Sequence, residues 1–250
     1  MSGPIVAVCG KGGVGKTVVT ALMARALRHA GVAPLLLIDA DPVGGLVTAL
    51  GERGGRTLAS VRAQVIGAAR HGDAETKQRV AEQLDYMVFE ALTEREGYSL
   101  LAMGRTTEKG CFCPANTLLR KAIDVVVDAF AVTLVDAEAG IEQINRQVTE
   151  RMTHAVVVTD GSGRSRDTLE LIVGMLGSDR VSAVDNRARG QEPAWELPRG
   201  VRSVGSIPED PALRDQDARG QSLWELPQDT PSLQAARRIV RDLGLMASRS

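Results

Sequence analysis

The octapeptide GKGGVGKT, Gly10 to Thr17, follows the apolar run PIVAVCG and opens into KTVVTALMARALRHAG, whose apolar residues recur every three or four positions. A strand that ends in glycines and passes directly into a helix constrains the fold more than any other stretch of the chain. Glycines let backbone N–H groups close around an anion, and a helix N-terminus adds a favourable dipole. The spacing is that of a phosphate-binding loop. On that reading Gly10, Gly12, Gly13, Val14 and Gly15 wrap the phosphates, Lys16 reaches the β- and γ-phosphates, and the Thr17 hydroxyl binds Mg²⁺. The competing reading is a glycine-rich turn that holds no ligand.

The remainder of the chain has the alternation that such a loop requires. Short apolar runs, PLLLID, YSLLAMG, AVTLVDAE, HAVVVTD, RVSAVDN and VRSVGSIP, read as strands. Between them ANTLLRKAIDVVVDAF, IEQINRQVTERM, SRDTLELIVGMLG and SLQAARRIVRDLGL have helical period. Strands apolar throughout are buried on both faces, so the expected class is α/β: a doubly wound, mostly parallel sheet with flanking helices. We expect one P-loop domain over residues 1–250, with a polar helical insertion over one sheet edge at about 52–97, where RHGDAETKQRVAEQ reads as exposed helix. Lys plus Arg number 30 against 31 Asp plus Glu, without a basic block, which argues against nucleic acid and against stable membrane association. No apolar run approaches the roughly 18 residues of a spanning helix, and a cytoplasmic location is expected.

Ligands of doubly wound sheets sit at the carboxyl ends of strands. Two acidic segments fall there: IDADP, with Asp39 and Asp41, and LVDAEAG, with Asp136, Glu138 and Gly140. Phosphoryl transfer to water needs one carboxylate to orient the water and another near the metal. An acid after a strand is also a common helix cap. Asn186 in VDNRA, and Pro208, Glu209 and Asp210 in SIPEDPALRD, fall at the next two strand ends. An asparagine amide both donates and accepts, which suits the N6/N1 edge of adenine, although an ordinary turn asparagine is the alternative.

A second lysine, Lys11, at the start of the loop marks the deviant Walker A form, and with it the chain resembles the MinD/ParA/nitrogenase-iron-protein superfamily over nearly its whole length. The resemblance implies an ATP-dependent homodimer in which Lys11 reaches the partner's nucleotide. It also implies that Asp41 orients the attacking water, that Asp39 lies in the same switch, that Asp136 acts on Mg²⁺ through water, that Gly140 senses the γ-phosphate, and that Asn186 and Pro208–Asp210 cradle adenine.

In KGCFCPANTLLRKAI, Cys111 and Cys113 stand one residue apart ahead of a helix expected near Pro114. In extended backbone both thiols face one side and can meet one soft or borderline ion, Ni²⁺, Zn²⁺ or Cu(I). Two ligands are too few for a closed site, and a two-fold axis would supply the partner's pair. A strained small-ring disulfide and a plain buried pair are the alternatives. Cys9 reads as inert core, and His29, His71 and His154 lack ligand spacing.

GCFCPANTLLR, DAEAGIE and the run from SIPED to QSLWELP resemble the CooC-type accessory ATPases that help insert nickel into carbon monoxide dehydrogenase. Gln143 stands where that group has histidine, and Gly44–Gly45 where it has an asparagine before leucine. The resemblance implies bound ATP or ADP with Mg²⁺, a nickel or zinc ion shared by Cys111 and Cys113 of two subunits, and a client apo-metalloenzyme, carbon monoxide dehydrogenase or acetyl-CoA synthase. An iron–sulfur electron-transfer ATPase like the nitrogenase iron protein and a MinD/ParA-type positioning ATPase are the rival functions.

Overall fold

The computed structural model describes residues 3–52, 55–105, 113–137, 151–188 and 196–246. In chain order the elements are β1 (Ile5–Gly10), α1 (Lys16–His29), β2 (Leu35–Asp39), α2 (Gly45–Ala49), α3 (Leu58–His71), α4 (Ala74–Glu82), α5 (Leu84–Phe89), β3 (Leu92–Arg95), β4 (Tyr98–Ala102), α6 (Cys113–Val127), β5 (Val132–Asp136), β6 (His154–Thr159), α7 (Gly163–Leu176), β7 (Val181–Ala188), β8 (Arg202–Pro208), α8 (Pro211–Ala218) and α9 (Pro231–Asp242). The seven expected strands are all present. The helix expected from IEQINRQVTERM falls almost wholly outside the described residues.

The strands form one eight-stranded sheet in the order β3-β4-β2-β5-β1-β6-β7-β8, parallel except for the antiparallel edge pair β3–β4. Successive side chains of a strand face opposite sides, so each strand feeds two cores. Val6, Val8, Leu35, Leu37 and Leu134 face one side with α1 and α9, while Ala7, Cys9, Leu36, Ile38 and Val135 face the other with α3, α5, α6 and α7. Each of the Val, Leu and Ile side chains among them contributes roughly 1.5–3 kcal/mol on burial, so the two-sided sheet dominates the stability of the fold.

The segment from about 52 to 97 does more than hang over an edge. Its α4 has no buried residue, as the polar reading of that stretch requires. Its α3 and α5, however, bury Leu58, Val61, Val65, Ile66, Leu84 and Val88 in the sheet's second core, and β3 lengthens the sheet. The average polarity of the segment hides these residues, because helical spacing collects them on one face of otherwise charged helices.

The C-terminal third closes the other side. Leu233, Ala235, Ala236, Ile239 and Val240 of α9 are buried. Trp224 stacks against Tyr98 of β4 at 4.8 Å between ring centroids, and its indole N–H donates to the Tyr98 hydroxyl. Among the described residues no helix is long and apolar enough to cross a membrane.

Candidate nucleotide-binding site

Strand β1 ends at Gly10, the loop turns through exposed Gly12 and Gly13, and α1 begins at Lys16. Val14 is fully buried and anchors the loop in the core between α1 and the sheet. Gly15 has φ +90, and a Cβ there would collide with the side-chain amide of Asn186, so position 15 needs glycine for conformation and for space. Lys16 is 8 % exposed, and its Nζ donates to the Lys11 carbonyl at 3.3 Å. An ammonium so poorly hydrated favours an anion beside it.

Parallel pairing of β2 with β5 puts Asp39 directly opposite Asp136 at the carboxyl edge of the sheet. The two carboxylates are used differently. Asp39 is fully buried and accepts from two backbone amides, Asp41 N–H at 3.1 Å and Val47 N–H at 2.9 Å, so it fixes the turn that carries Asp41 and the first turn of α2. Burial pushes its pKa up, against the pull of those amides.

Asp136 has an oxygen, Oδ2, that is buried without a hydrogen-bond partner among the described residues. Its other oxygen, Oδ1, accepts from Thr20 Oγ1 at 3.5 Å. Burial, with added repulsion from Asp39 and Asp41, pushes Asp136 up to about 6 against the opposing pull of the Thr17 hydroxyl and the Lys16 charge.

Asp41 Oδ1 accepts from Val43 N–H at 2.7 Å. Its Oδ2 and Thr17 Oγ1 border one gap: a Cβ on Gly45 would stand 3.4 Å from each. The glycine in place of a larger residue keeps that gap open. Thr17, Asp136 and Asp41 thus offer hard oxygen donors at the mouth of the loop, a set that fits Mg²⁺, which is held by one or two carboxylates together with substrate phosphates.

Beyond Gly15 lies a cleft of about 440 Å³, bordered by Asn186, Pro208, Glu209 and Leu213. Asn186 is 5 % exposed, and its Nδ2 donates to the Val14 carbonyl at 2.7 Å, so it braces the loop from the cleft side. The Asp210 side chain is turned to structure. Its Oδ1 accepts from Ala212 and Leu213 N–H at the start of α8, and its Oδ2 accepts from the N–H and Oγ of Ser232 at the start of α9.

Lys11 meets Asp160, which follows β6, with Nζ 2.9 Å from Oδ2 and 3.3 Å from Ser162 Oγ. Burial alone would raise Asp160, but hydrogen bonds from Ser162, Ser165 and Lys11 hold its carboxyl well below the usual range. Neither Asp160 nor Ser162 was singled out in the sequence. The available signal was the one used for Asp39 and Asp136, an acid at a strand's carboxyl end, here in HAVVVTD.

Glu138, Gly140, Gln143 and Cys111 lie outside the described residues. The chain leaves the sheet toward the cysteines at Met103, whose N–H donates to the Asp39 carbonyl, at the same carboxyl edge as the loop. Helix α6 then begins at Cys113, one residue before the expected Pro114, so the second cysteine belongs to a helix start and not to extended chain. Proline in the first helical turn costs no hydrogen bond, which explains the boundary. Among the described residues no three His, Cys, Asp or Glu side chains are grouped to hold a metal ion by themselves.

The chain is 31 % identical to the carbon monoxide dehydrogenase accessory protein CooC of Rhodospirillum rubrum over 236 residues, 88 % of this chain and 89 % of that protein. It is 30 % identical to an ATP-binding protein of Methanocaldococcus jannaschii over 250 residues, 96 % and 98 % of the two chains. The fold is shared with the septum site-determining protein MinD of Pyrococcus horikoshii, solved with Mg-ADP, at a TM-score of 0.67 and 21 % identity over 97 % of this chain and 96 % of that one. It is likewise shared with a chain of the MinC:MinD cell division protein complex of Aquifex aeolicus, at a TM-score of 0.70 and 22 % identity over 100 % of this chain and 98 % of that one. Residues 5–223 match the CobQ/CobB/MinD/ParA nucleotide binding domain, and the chain is a member of that family of P-loop ATPases.

Proposed function

We propose that this protein is an ATP-driven, homodimeric accessory ATPase that holds a nickel ion between the Cys111 and Cys113 thiolates of two subunits and delivers it to an apo-metalloenzyme of the carbon monoxide dehydrogenase type. The observation that carries this reading is the 31 % identity to CooC across 88 % of the chain, in a sequence that also holds a Cys-x-Cys pair.

In the proposed cycle the loop amides and Lys16 take the β- and γ-phosphates. Thr17 and Asp136 would hold Mg²⁺, which would supply charge neutralisation at the phosphates. Asp41 orients a water in line with the γ-phosphorus, and Asp39 holds the turn that aims it. Lys11 crosses to the partner's nucleotide. The Lys11–Asp160 ion pair adds a requirement to this step, because Lys11 leaves Asp160 before it can act across an interface. Four thiolates meet only when two chains are together, so ATP-dependent pairing and metal binding are thermodynamically linked.

Reconstitution tests the reading. An apo carbon monoxide dehydrogenase supplied with Ni²⁺ is activated faster with this protein and ATP than without either, and Cys113→Ser removes the gain. Activation indifferent to the protein would leave a nucleotide-dependent switch with another task.

A further inference from the structure

Arg187 has φ +59, and among the described residues it is the one non-glycine residue in the left-handed region. Such outliers persist where the surroundings hold them, and they gather at functional sites. The cause is visible in the pairing of β7 with β8. Asn186 is opposite Ile207 and Ala188 is opposite Pro208, so Arg187 is an inserted bulge residue. Neighbours on a regular strand face opposite sides. The bulge cancels that alternation and re-aims a side chain. As a result Asn186 and Arg187 both reach the phosphate loop, on consecutive carbonyls: Asn186 Nδ2 on Val14, and Arg187 Nη1 on Gly13 at 3.3 Å. Both also border the 440 Å³ cleft, as do Pro208 and Glu209.

We propose that Arg187 is a further nucleotide-binding residue, whose guanidinium, anchored on the loop apex, closes the outer wall of the cleft over the nucleoside half of a bound nucleotide. This rests on the nucleotide-binding reading of the loop. The phosphates belong to the loop interior, on the side of Lys16, while the cleft that Arg187 borders begins beyond Gly15. The planar guanidinium has five donors, and the Gly13 carbonyl engages one of its nitrogens, leaving donors and a flat face for a ribose and a base.

The test compares ADP with inorganic pyrophosphate by calorimetric titration, using the full chain and the variants Arg187→Gly and Arg187→Asn. Both residues tolerate a left-handed backbone, so the bulge survives without the guanidinium. Melting without ligand checks this, and the variants should unfold no earlier than wild type. We expect the Kd for ADP to rise about tenfold in both variants while that for pyrophosphate stays within about twofold, the loss of a charge-assisted contact confined to the nucleoside. Unchanged ADP affinity, or equal losses for ADP and pyrophosphate, overturns the assignment. A wild-type chain that binds neither ligand overturns the nucleotide reading itself, a different result from a failure of Arg187 alone.

Discussion

Replacing Asp136 by asparagine should change how the ligand-free protein responds to pH. In the unfolded chain this carboxyl ionises at the ordinary aspartate value, whereas in the folded chain burial, aided by Asp39 and Asp41, pushes it up to about 6. Between those two pH values the folded state binds more protons than the unfolded state, so stability falls as pH rises through the window. A displacement of about two pH units at ~1.4 kcal/mol each amounts to about 3 kcal/mol, fully lost above about pH 6. Asp136→Asn carries no charge at any of these pH values and removes that slope. It also places an amide where Oδ2 now lies without a partner, a cost of ~1–3 kcal/mol that does not vary with pH. Asp39, raised in the same direction, remains in both proteins and largely cancels in the difference. Urea unfolding from about pH 4 to about pH 7.5 gives the two stability curves. Wild-type stability minus variant stability is expected to fall by about 3 kcal/mol across that range. A difference that is flat within about 1 kcal/mol would refute the account of Asp136 as a carboxylate held uncomfortably in its ionised form. With Mg²⁺ and ADP present the wild-type trend should reverse, because the cation restores the ionised form and binding releases a proton below about pH 6.

Asp41→Ala should bind ATP normally and lose at least ~100-fold in turnover, measured by phosphate release, since phosphate contacts stay while water positioning goes; near-normal turnover would remove Asp41 from that task. Lys11→Gln should weaken ATP-induced dimerisation seen by light scattering. Asp160→Asn should strengthen it about fivefold, because freeing Lys11 from a partly exposed ion pair is worth only about 1 kcal/mol. A metal titration should give one nickel per dimer, tightened by the nucleotide that tightens the dimer, and Cys113→Ser should abolish it without altering ADP binding; one metal per monomer would exclude a shared site. Ile239→Ala should cost about 2–5 kcal/mol in urea unfolding, since α9 is built into the core, and a smaller loss would show that helix to be peripheral.

Local chemistry was legible in the sequence where it is written in consecutive residues. The run from Gly10 to Thr17 fixes its own conformation, and the apolar strands declare burial on both faces, so the loop and the seven strands appear where they were expected. β3 was missed because Leu92–Arg95 is a short edge strand whose residues are partly or fully exposed, and only its pairing with β4 makes it a strand. The juxtaposition of Asp39 with Asp136 depends on strand order, which no local spacing encodes. The same holds for Lys11 with Asp160, brought together because β1 and β6 are neighbours. The resemblance gives Asp210 to the base; the residue borders the cleft, its side chain caps α8 as Asp before Pro-Ala-Leu does well, and only the approach of α9 gives its second oxygen a purpose. Arg187 carries no sequence signal, since a bulge is a property of two strands together.

The Asp210 carboxylate is a staple between two helix starts, with Ser232 22 positions further along the chain. Helix α8 forms part of the cleft wall, so the mechanical integrity of that wall runs through a helix that borders no part of the cleft. Undocking of α9 would break half of the staple without touching any residue that borders the cleft. The Ser232 amide, bonded to this carboxylate and buried, is therefore a hydrogen-exchange reporter: its protection should deepen when the cleft fills and vanish when α9 undocks, giving a readout of the site from the far end of the chain.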